Sequence, residues 1–84
     1  MPAITIYTTT YCPYCVRAKD LLTRKGQTYT EINAEDDAVR ESMIGKAGGR
    51  RTVPQIFIGE THVGGCDDLY ALDKAGKLDA MLAA

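Results

Sequence analysis

Stretches rich in β-branched and aromatic residues alternate along the chain with segments of helical spacing, and they predict four strands. Only Gly59-Glu60 separates the last two stretches, which favours a β-hairpin at that point. The predicted strands span Ile4–Thr8, residues 28–33, Gln55–Ile58 and residues 61–63.

An apolar stripe at positions i, i+3 and i+4 from Ala18 predicts a first helix over residues 16–25. Pro13 suits the first helical position, because it has no N–H to leave unpaired and its φ is already helical. Gly26 then ends the helix, as glycine commonly does after the last helical turn.

Asp36 or Asp37 can cap a second helix, since a carboxylate accepts a hydrogen bond from the unpaired N–H groups of a first turn. The glycine-rich stretch at residues 45–49 predicts its end. The apolar residues of its inner face are Val39, Met43 and Ile44.

A third helix is predicted after a turn at Gly64-Gly65, with Asp67 or Asp68 near its cap and Gly76 at its end. We expect Leu69, Leu72 and Ala75 to face inward from this helix. We expect the residues that follow to cover an open edge of the core with Leu78, Met81 and Leu82.

The predicted order of elements is β-α-β-α-β-β-α. The first β-α-β unit should be a right-handed parallel crossover, and the last two strands should pair antiparallel. The fold class is therefore α/β, with a mixed four-stranded sheet flanked by three helices.

The length and charge of the chain limit its size and its partners. Its 84 residues form one domain, residues 1–84, with no room for a second core. A net charge of −1, from 10 basic and 11 acidic residues, gives no support for binding to nucleic acid or to an anionic membrane.

The cysteine count and the apolar pattern bear on the compartment. No apolar run approaches the length that spans a bilayer, and no signal peptide is evident at the N-terminus. Three cysteines, two of them close together, do not suit a secreted disulfide scaffold. We therefore expect a cytoplasmic protein.

Cys12-Pro13-Tyr14-Cys15 carries the candidate chemistry, at the junction of the first strand and first helix. The unpaired N–H groups and the positive dipole end of a helix favour a thiolate there. Such thiols have pKa values of roughly 3.5–7.5, against about 8.5 for a free cysteine. Cys12, at the cap, is the candidate nucleophile, and Cys15, one turn inside, suits a resolving thiol.

The same two cysteines have less reactive interpretations. They can be inert, or they can be half of a zinc site. A structural zinc site usually has four ligands, and only Cys66 and His62 remain to complete one. We therefore expect no metal, and no bound cofactor is needed for thiol exchange.

Three motifs in this order resemble those of the dithiol glutaredoxins, the small bacterial-type members of the thioredoxin-like superfamily. The motifs are Cys12-Pro13-Tyr14-Cys15, Thr52-Val53-Pro54 and Gly64-Gly65-Cys66-Asp67-Asp68. The resemblance spans nearly the whole chain, and it implies a glutathione-linked thiol–disulfide oxidoreductase with a thioredoxin-like fold.

The resemblance also implies a binding site for glutathione. It implies a cis Val53–Pro54 bond facing the cysteine pair, so that Val53 offers its backbone N–H and C=O to an extended peptide. Gly65 would let the ligand approach closely. The residues it assigns to glutathione are Tyr14, Thr52, Val53, Pro54, Gly65, Cys66 and Asp67.

The γ-glutamyl end of glutathione matches the start of the third helix. The N–H groups of Cys66 and Asp67 can hold a carboxylate, and the Asp67 side chain can accept from an ammonium. A Gly-Gly turn before an Asp-capped helix is the simpler interpretation of the same residues. Likewise, Tyr14 can be a surface aromatic, Cys66 a small buried residue and His62 an ordinary surface residue.

One position departs from the family pattern. Members usually carry a lysine three residues before the nucleophile, where this chain has Thr9. That lysine is expected to favour the thiolate and to pair with the glycyl carboxylate of glutathione. Arg40, Arg50 or Arg51 can supply a replacement charge, and the sequence does not choose among them.

The function implied by the resemblance is reduction of protein disulfides and of glutathione mixed disulfides through Cys12 and Cys15. Implied partners are glutathione, glutathionylated or disulfide-containing proteins such as ribonucleotide reductase and, indirectly, glutathione reductase, with the protein acting as a monomer. Two alternatives stay open. One is a small redoxin recharged by thioredoxin reductase, and the other is a carrier of a glutathione-ligated iron–sulfur cluster.

Overall fold

A computed structural model describes residues 2–83 of the chain, and it contains one four-stranded sheet with helices on both faces. The strands are β1 (Ile4–Thr8), β2 (Thr30–Asn33), β3 (Gln55–Ile58) and β4 (Thr61–Gly64). The helices are α1 (Pro13–Arg24), α2 (Asp37–Lys46), α3 (Cys66–Lys74) and α4 (Leu78–Ala83).

The strands lie in the order β2-β1-β3-β4. β1 pairs parallel with β2, while β3 pairs antiparallel with both β1 and β4. The parallel pair needs the crossover that α1 supplies, whereas β3 and β4 are joined by the two-residue turn at Gly59 and Glu60. The predicted mixed sheet and the predicted hairpin are confirmed.

Successive side chains of a strand point to opposite faces, so the sheet divides the core in two. On one face, Ile4 and Ile6 of β1 join the inner sides of α1, α3 and α4. On the other face, Tyr7 and Phe57 meet edge to face, with ring centroids 5.8 Å apart, and pack against Met43 of α2. The site described below lies where α1 and α3 both begin.

The ends of the first two helices follow the sequence closely. α1 begins at Pro13, and a chain reversal at Gly26, whose φ is +73°, follows its end. Asp36 rather than Asp37 caps α2, since its carboxylate accepts from the N–H of Ala38 at 3.0 Å. Pro13 and Gly26 therefore have the roles that their restricted and permissive backbones favour.

The structure corrects four details of the prediction. A short fourth helix, α4, follows the three expected ones, and Leu78 and Leu82 on one side of it are buried. Ala75, expected to face inward, is exposed because α3 ends at Lys74. β2 begins at Thr30 rather than at residue 28, and β4 ends at Gly64 rather than at residue 63. Asp68 lies near the cap of α3 as expected, since its carboxylate accepts from the N–H of Gly65, the cap residue.

None of the helices in the described part of the chain is long and apolar enough to cross a bilayer.

Candidate active site

Cys12 and Cys15 lie at the start of α1 and are joined by a disulfide, with their Cα atoms 5.1 Å apart. Cys12 is the N-cap residue, and its Sγ accepts from the backbone N–H of Cys15 at 3.1 Å. The N–H of Cys15, one of the donors that a first turn leaves without an intrahelical partner, therefore points toward this sulfur. An electron-rich sulfur at this position is stabilised by both the hydrogen bond and the helix dipole.

The two sulfurs differ in their access to solvent. Cys15 is 1% exposed and belongs to the core beneath α1, whereas Cys12 is only partly buried. Tyr11, Tyr14 and Val16, which are large and exposed, surround the pair along the chain. A reacting partner can therefore reach Cys12 more readily than Cys15.

Val53 and Pro54 face the cysteine pair, and the peptide bond between them is cis, as expected. The carbonyl oxygen of Val53 lies 3.9 Å from Cys12 Sγ. Pro54 is buried at the start of β3, so this segment lies directly beside the more accessible sulfur.

A groove with a volume of about 330 Å³ runs from this point to the start of α3. All seven positions assigned to glutathione by resemblance line it, which brings together residues from three distant parts of the chain. They are Tyr14, Thr52, Val53, Pro54, Gly65, Cys66 and Asp67.

Two further charged residues line the same groove. The sequence predicted Arg50 only as one of three possible replacements for the missing lysine, and Asp68 only as a residue near the cap of the third helix. Asp68 lies at the third position of α3, and Arg50 belongs to the segment before β3. The N–H of Gly65 donates to the Asp68 carboxylate, and this bond together with the Arg50 guanidinium holds the pKa of Asp68 below its ordinary value. Of the two aspartates in the motif, Asp68 is therefore the one that binds the cap residue of α3. Asp67 is exposed at the groove.

Gln55 is a supporting residue that the sequence analysis did not identify. Its side chain is fully buried, and its amide donates to the carbonyl of Thr52 at 2.9 Å and to the hydroxyl of the same residue at 3.2 Å. Its amide oxygen lies 2.7 Å from Nε2 of His62. These bonds fix the floor of the groove, and they give His62 a structural partner.

Cys66 contributes its position at the start of α3 rather than an exposed thiol. It is 4% exposed, and burial raises the pKa of its thiol above the ordinary value. A buried thiol with a raised pKa is a poor nucleophile. The expectation of a small buried cysteine is confirmed.

The three candidate replacements for the missing lysine lie in different surroundings. Arg40 donates to the carbonyl of Ala34, Arg51 is exposed, and Arg50 lines the groove. The Thr9 hydroxyl donates a hydrogen bond to the carbonyl oxygen of Tyr11 at 3.4 Å. Arg50 is thus the candidate that the fold brings to the groove.

Within residues 2–83, no group of three or more His, Cys, Asp and Glu side chains is arranged to hold a metal ion.

Comparison with known proteins agrees with this geometry. The Glutaredoxin family model matches residues 4–63. The chain is 57% identical over 84 residues to a glutaredoxin from Pseudomonas aeruginosa, and the match covers 100% of both chains. The solution structure of a glutaredoxin from Brucella melitensis is 55% identical, with a TM-score of 0.86 over 98% of this chain and 89% of that chain.

A crystal structure of a buckwheat glutaredoxin–glutathione complex is 36% identical to the chain. It has a TM-score of 0.89 over 98% of this chain and 77% of the buckwheat chain.

A thioredoxin-like sheet that presents a paired Cys12 and Cys15 at a helix start defines a thiol–disulfide oxidoreductase. Within that class, the extent of the family match and the identity to known members decide the assignment. The chain belongs to the glutaredoxin family.

Proposed function

We propose that the protein is a glutathione-dependent oxidoreductase that reduces glutathione mixed disulfides and protein disulfides through Cys12 and Cys15. The observation that carries the proposal is the groove, which begins beside Cys12 and ends at the start of α3. Its volume of about 330 Å³, its backbone at Val53 and its charged residues Arg50, Asp67 and Asp68 support the binding of an extended tripeptide with a thiol in the middle.

Two parts of glutathione, the cysteinyl residue and the γ-glutamyl end, have a matching part of the groove. The backbone of Val53 is available to the cysteinyl residue of the ligand, next to Cys12 Sγ. The N–H groups at the start of α3 suit the γ-glutamyl carboxylate, and the exposed Asp67 suits its ammonium group. Tyr14 is 55% exposed and can cover the ligand from the side of α1.

The first route removes glutathione from a mixed disulfide. The Cys12 thiolate attacks the glutathionyl sulfur, so that a new S–S bond forms and the partner protein leaves as a thiolate. A second glutathione thiolate then attacks the glutathionyl sulfur on Cys12. This step releases glutathione disulfide and restores the Cys12 thiolate, so electrons and sulfur bonds balance.

The second route reduces a disulfide within a protein. Cys12 attacks one sulfur of the substrate, and Cys15 then attacks Cys12 Sγ to release the substrate as a dithiol. The product is the Cys12–Cys15 disulfide seen in the structure. Two molecules of glutathione return it to the dithiol by successive exchange.

Serine substitutions separate the two routes. Cys12→Ser should reduce both activities to background, because the hydroxyl that replaces the thiol is a far weaker nucleophile. Cys15→Ser should keep removal of glutathione and lose reduction of protein disulfides. The measurement is turnover of a glutathionylated test compound and of a disulfide-containing protein, with glutathione and glutathione reductase. Undiminished removal of glutathione by Cys12→Ser would refute the proposal.

Recharging by thioredoxin reductase is the second candidate, and the threonine at position 9 supports it, because a presumed contact to glutathione is lost. The same oxidised protein is offered either glutathione with glutathione reductase or thioredoxin reductase alone. Turnover with thioredoxin reductase and none with glutathione would select the alternative.

The proposed setting follows from the proposed chemistry. Glutathione-driven reduction needs a compartment where glutathione is kept reduced, which favours the cytoplasm. The proposed partners are glutathione, glutathionylated proteins and disulfide-containing enzymes such as ribonucleotide reductase, with the protein acting as a monomer. No resident metal or organic cofactor takes part in these steps.

A further inference from the structure

The two sides of the groove are joined by an ion pair at the end farther from the cysteines. Arg50 lies in the segment that leads to Thr52, and Asp68 lies in the first turn of α3. Their side chains meet with Arg50 Nη1 2.9 Å from Asp68 Oδ2. The contact therefore joins two parts of the chain that are 18 residues apart.

One carboxylate oxygen of Asp68 accepts two hydrogen bonds. Oδ2 receives the N–H of Gly65 at 2.9 Å as well as the Arg50 guanidinium. Asp68 therefore connects Arg50 to the residue at which α3 begins. Cys66 and Asp67, the next two residues, line the groove, so the direction of their N–H groups depends on how Gly65 is held.

The glycine at position 64 allows this close approach. A Cβ at Gly64 would lie 2.6 Å from Arg50 Nη1 and would also overlap the Asp68 carboxylate. The φ of Gly64 is +116°, which side chains rarely adopt. A Cβ at Gly65 would lie 3.6 Å from Arg50 Nη2 and 3.5 Å from the carbonyl oxygen of Pro54, which are ordinary van der Waals contacts that show how near the guanidinium is. The guanidinium thus lies across the Gly-Gly turn.

We propose that Arg50 and Asp68 act as a positioning pair that sets the separation between the side of the groove that contains Val53 and the side that contains Asp67. This separation selects thiols that carry a carboxylate and an ammonium group at one end. The proposal rests on the function proposed above and deepens it. The pair acts through Val53 and Asp67 rather than by contact with the ligand.

The exposure of the pair predicts a moderate effect on binding. The two side chains are 46% and 47% exposed, so water screens their attraction. Their loss should leave the fold intact and widen the groove at the γ-glutamyl end. We expect the KM for glutathione to rise about three- to fivefold, with kcat unchanged.

The test compares Arg50→Gln, Asp68→Asn and the double variant. Asp68→Asn removes the charge but keeps a side-chain oxygen that can accept from Gly65, so it separates the ion pair from the helix cap. The expected result is a similar rise in KM for each single variant and no further rise in the double variant, because both changes remove the same interaction. Arg50→Lys should recover part of the affinity, since lysine supplies the charge but not the planar guanidinium.

Two controls make the result specific. Lys74→Gln removes one positive charge, as Arg50→Gln does, but at the exposed last residue of α3. It should leave the KM for glutathione unchanged. The rate at which dithiothreitol reduces the Cys12–Cys15 disulfide should be the same in all variants, because dithiothreitol has no γ-glutamyl end. A parallel loss in that rate would show general damage and overturn the proposal.

The remaining outcomes are also decisive. A raised KM in Arg50→Gln with a normal KM in Asp68→Asn would mean that Arg50 contacts the ligand directly, and the positioning role would be wrong. A normal KM in both single variants would overturn it as well. Failure of the unaltered protein to turn over glutathione would instead overturn the proposed function, so the two failures are distinguishable.

Discussion

Cys12 has both a structural role and a chemical role. It caps α1, and the sulfur that accepts from the Cys15 N–H is the one nearest Val53 and the groove. The cap that starts the helix therefore also stabilises charge on this sulfur. Thr9, three residues earlier, is the nearby position at which the chain lacks the lysine expected from its family.

Thr9→Lys should therefore increase the reactivity of Cys12. A lysine at this position would favour the thiolate and lower the pKa of the Cys12 thiol. The KM for glutathione should fall, because the glycyl carboxylate gains a partner. The measurements are the pH dependence of Cys12 alkylation by iodoacetamide in the reduced protein and steady-state kinetics.

Thr10→Lys is the matched control for this substitution. It adds the same charge one residue away, where the Thr10 side chain and N–H contact the carboxylate of Glu35. A lysine there should be neutralised and should change neither quantity. An unaltered Cys12 pKa and an unaltered KM in Thr9→Lys would show that the missing lysine has no consequence here.

Among the elements, β2 is joined to its neighbours by a charged residue. It is an edge strand of four residues, and three of them are exposed. Glu31 of this strand accepts from the Thr8 hydroxyl of β1 at 2.7 Å and pairs with Lys19 of α1 at 3.0 Å. One carboxylate therefore ties the strand to both of its neighbours.

The pH dependence of stability should report this contact. The hydrogen bond from Thr8, followed by that from Lys19, lowers the pKa of Glu31 below 4.5. A carboxyl whose pKa is lowered by folding stabilises the protein above its unfolded pKa, and this contribution disappears as the pH falls through the folded value. Glu31→Gln should therefore be less stable than the parent at pH 7 and equally stable well below the folded pKa.

Urea unfolding of both proteins across this range is the measurement. The comparison variant is Asp20→Asn, which removes an exposed carboxyl of α1. Its stability should vary with pH as that of the parent does. A constant difference between Glu31→Gln and the parent at every pH would assign the loss to packing and would contradict the electrostatic explanation.

At the scale of the whole molecule, α4 completes the larger of the two cores. Leu78 is fully buried and Leu82 is 3% exposed, and both belong to the cluster that includes Ile6 and Leu22. Lys25, at the end of α1, pairs with Asp73 at 2.7 Å and with Asp79 at 3.0 Å, which raises the pKa of the lysine. The C-terminal segment is thus part of the domain rather than an appendage.

Leu78→Ala should lower the free energy of unfolding by about 2–5 kcal/mol, because it leaves a cavity in a closed core. That is a large part of the stability expected for a small domain, which is about 5–15 kcal/mol. Urea denaturation measures the change. Met81→Ala, at a partly buried position of the same helix, should cost less, and an equal or greater cost there would contradict the role given to Leu78.

Local patterns were sufficient for most of the fold. The β-branched run at Ile4–Thr8, the proline and glycine that bound α1, and the Gly59-Glu60 hairpin all act over a few residues, so each can be recognised from the sequence. The error at Ala75 arose because a helical stripe was extended beyond the residue at which α3 ends. A residue at helical spacing faces inward only if the helix continues as far as that residue. The packing of neighbouring elements decides where the helix ends.

The candidate site was predictable only where resemblance supplied the motifs. Gln55 follows the Thr52-Val53-Pro54 motif as an ordinary polar residue of a strand, and nothing local shows that its side chain is buried beneath Thr52. The contact between Arg50 and Asp68 likewise depends on how the start of α3 approaches the segment before β3.

The amino-acid sequence alone determined the order of the four strands and the first three helices, the place of the cysteine pair at a helix start and, through its motifs, the family resemblance. These properties depend on backbone preferences and periodicity within a few residues. The tertiary structure alone decided that Arg50 and Asp68 meet in the groove, because packing brings them together across the Gly64-Gly65 turn. Such contacts arise from the packing of distant segments, which no local pattern encodes.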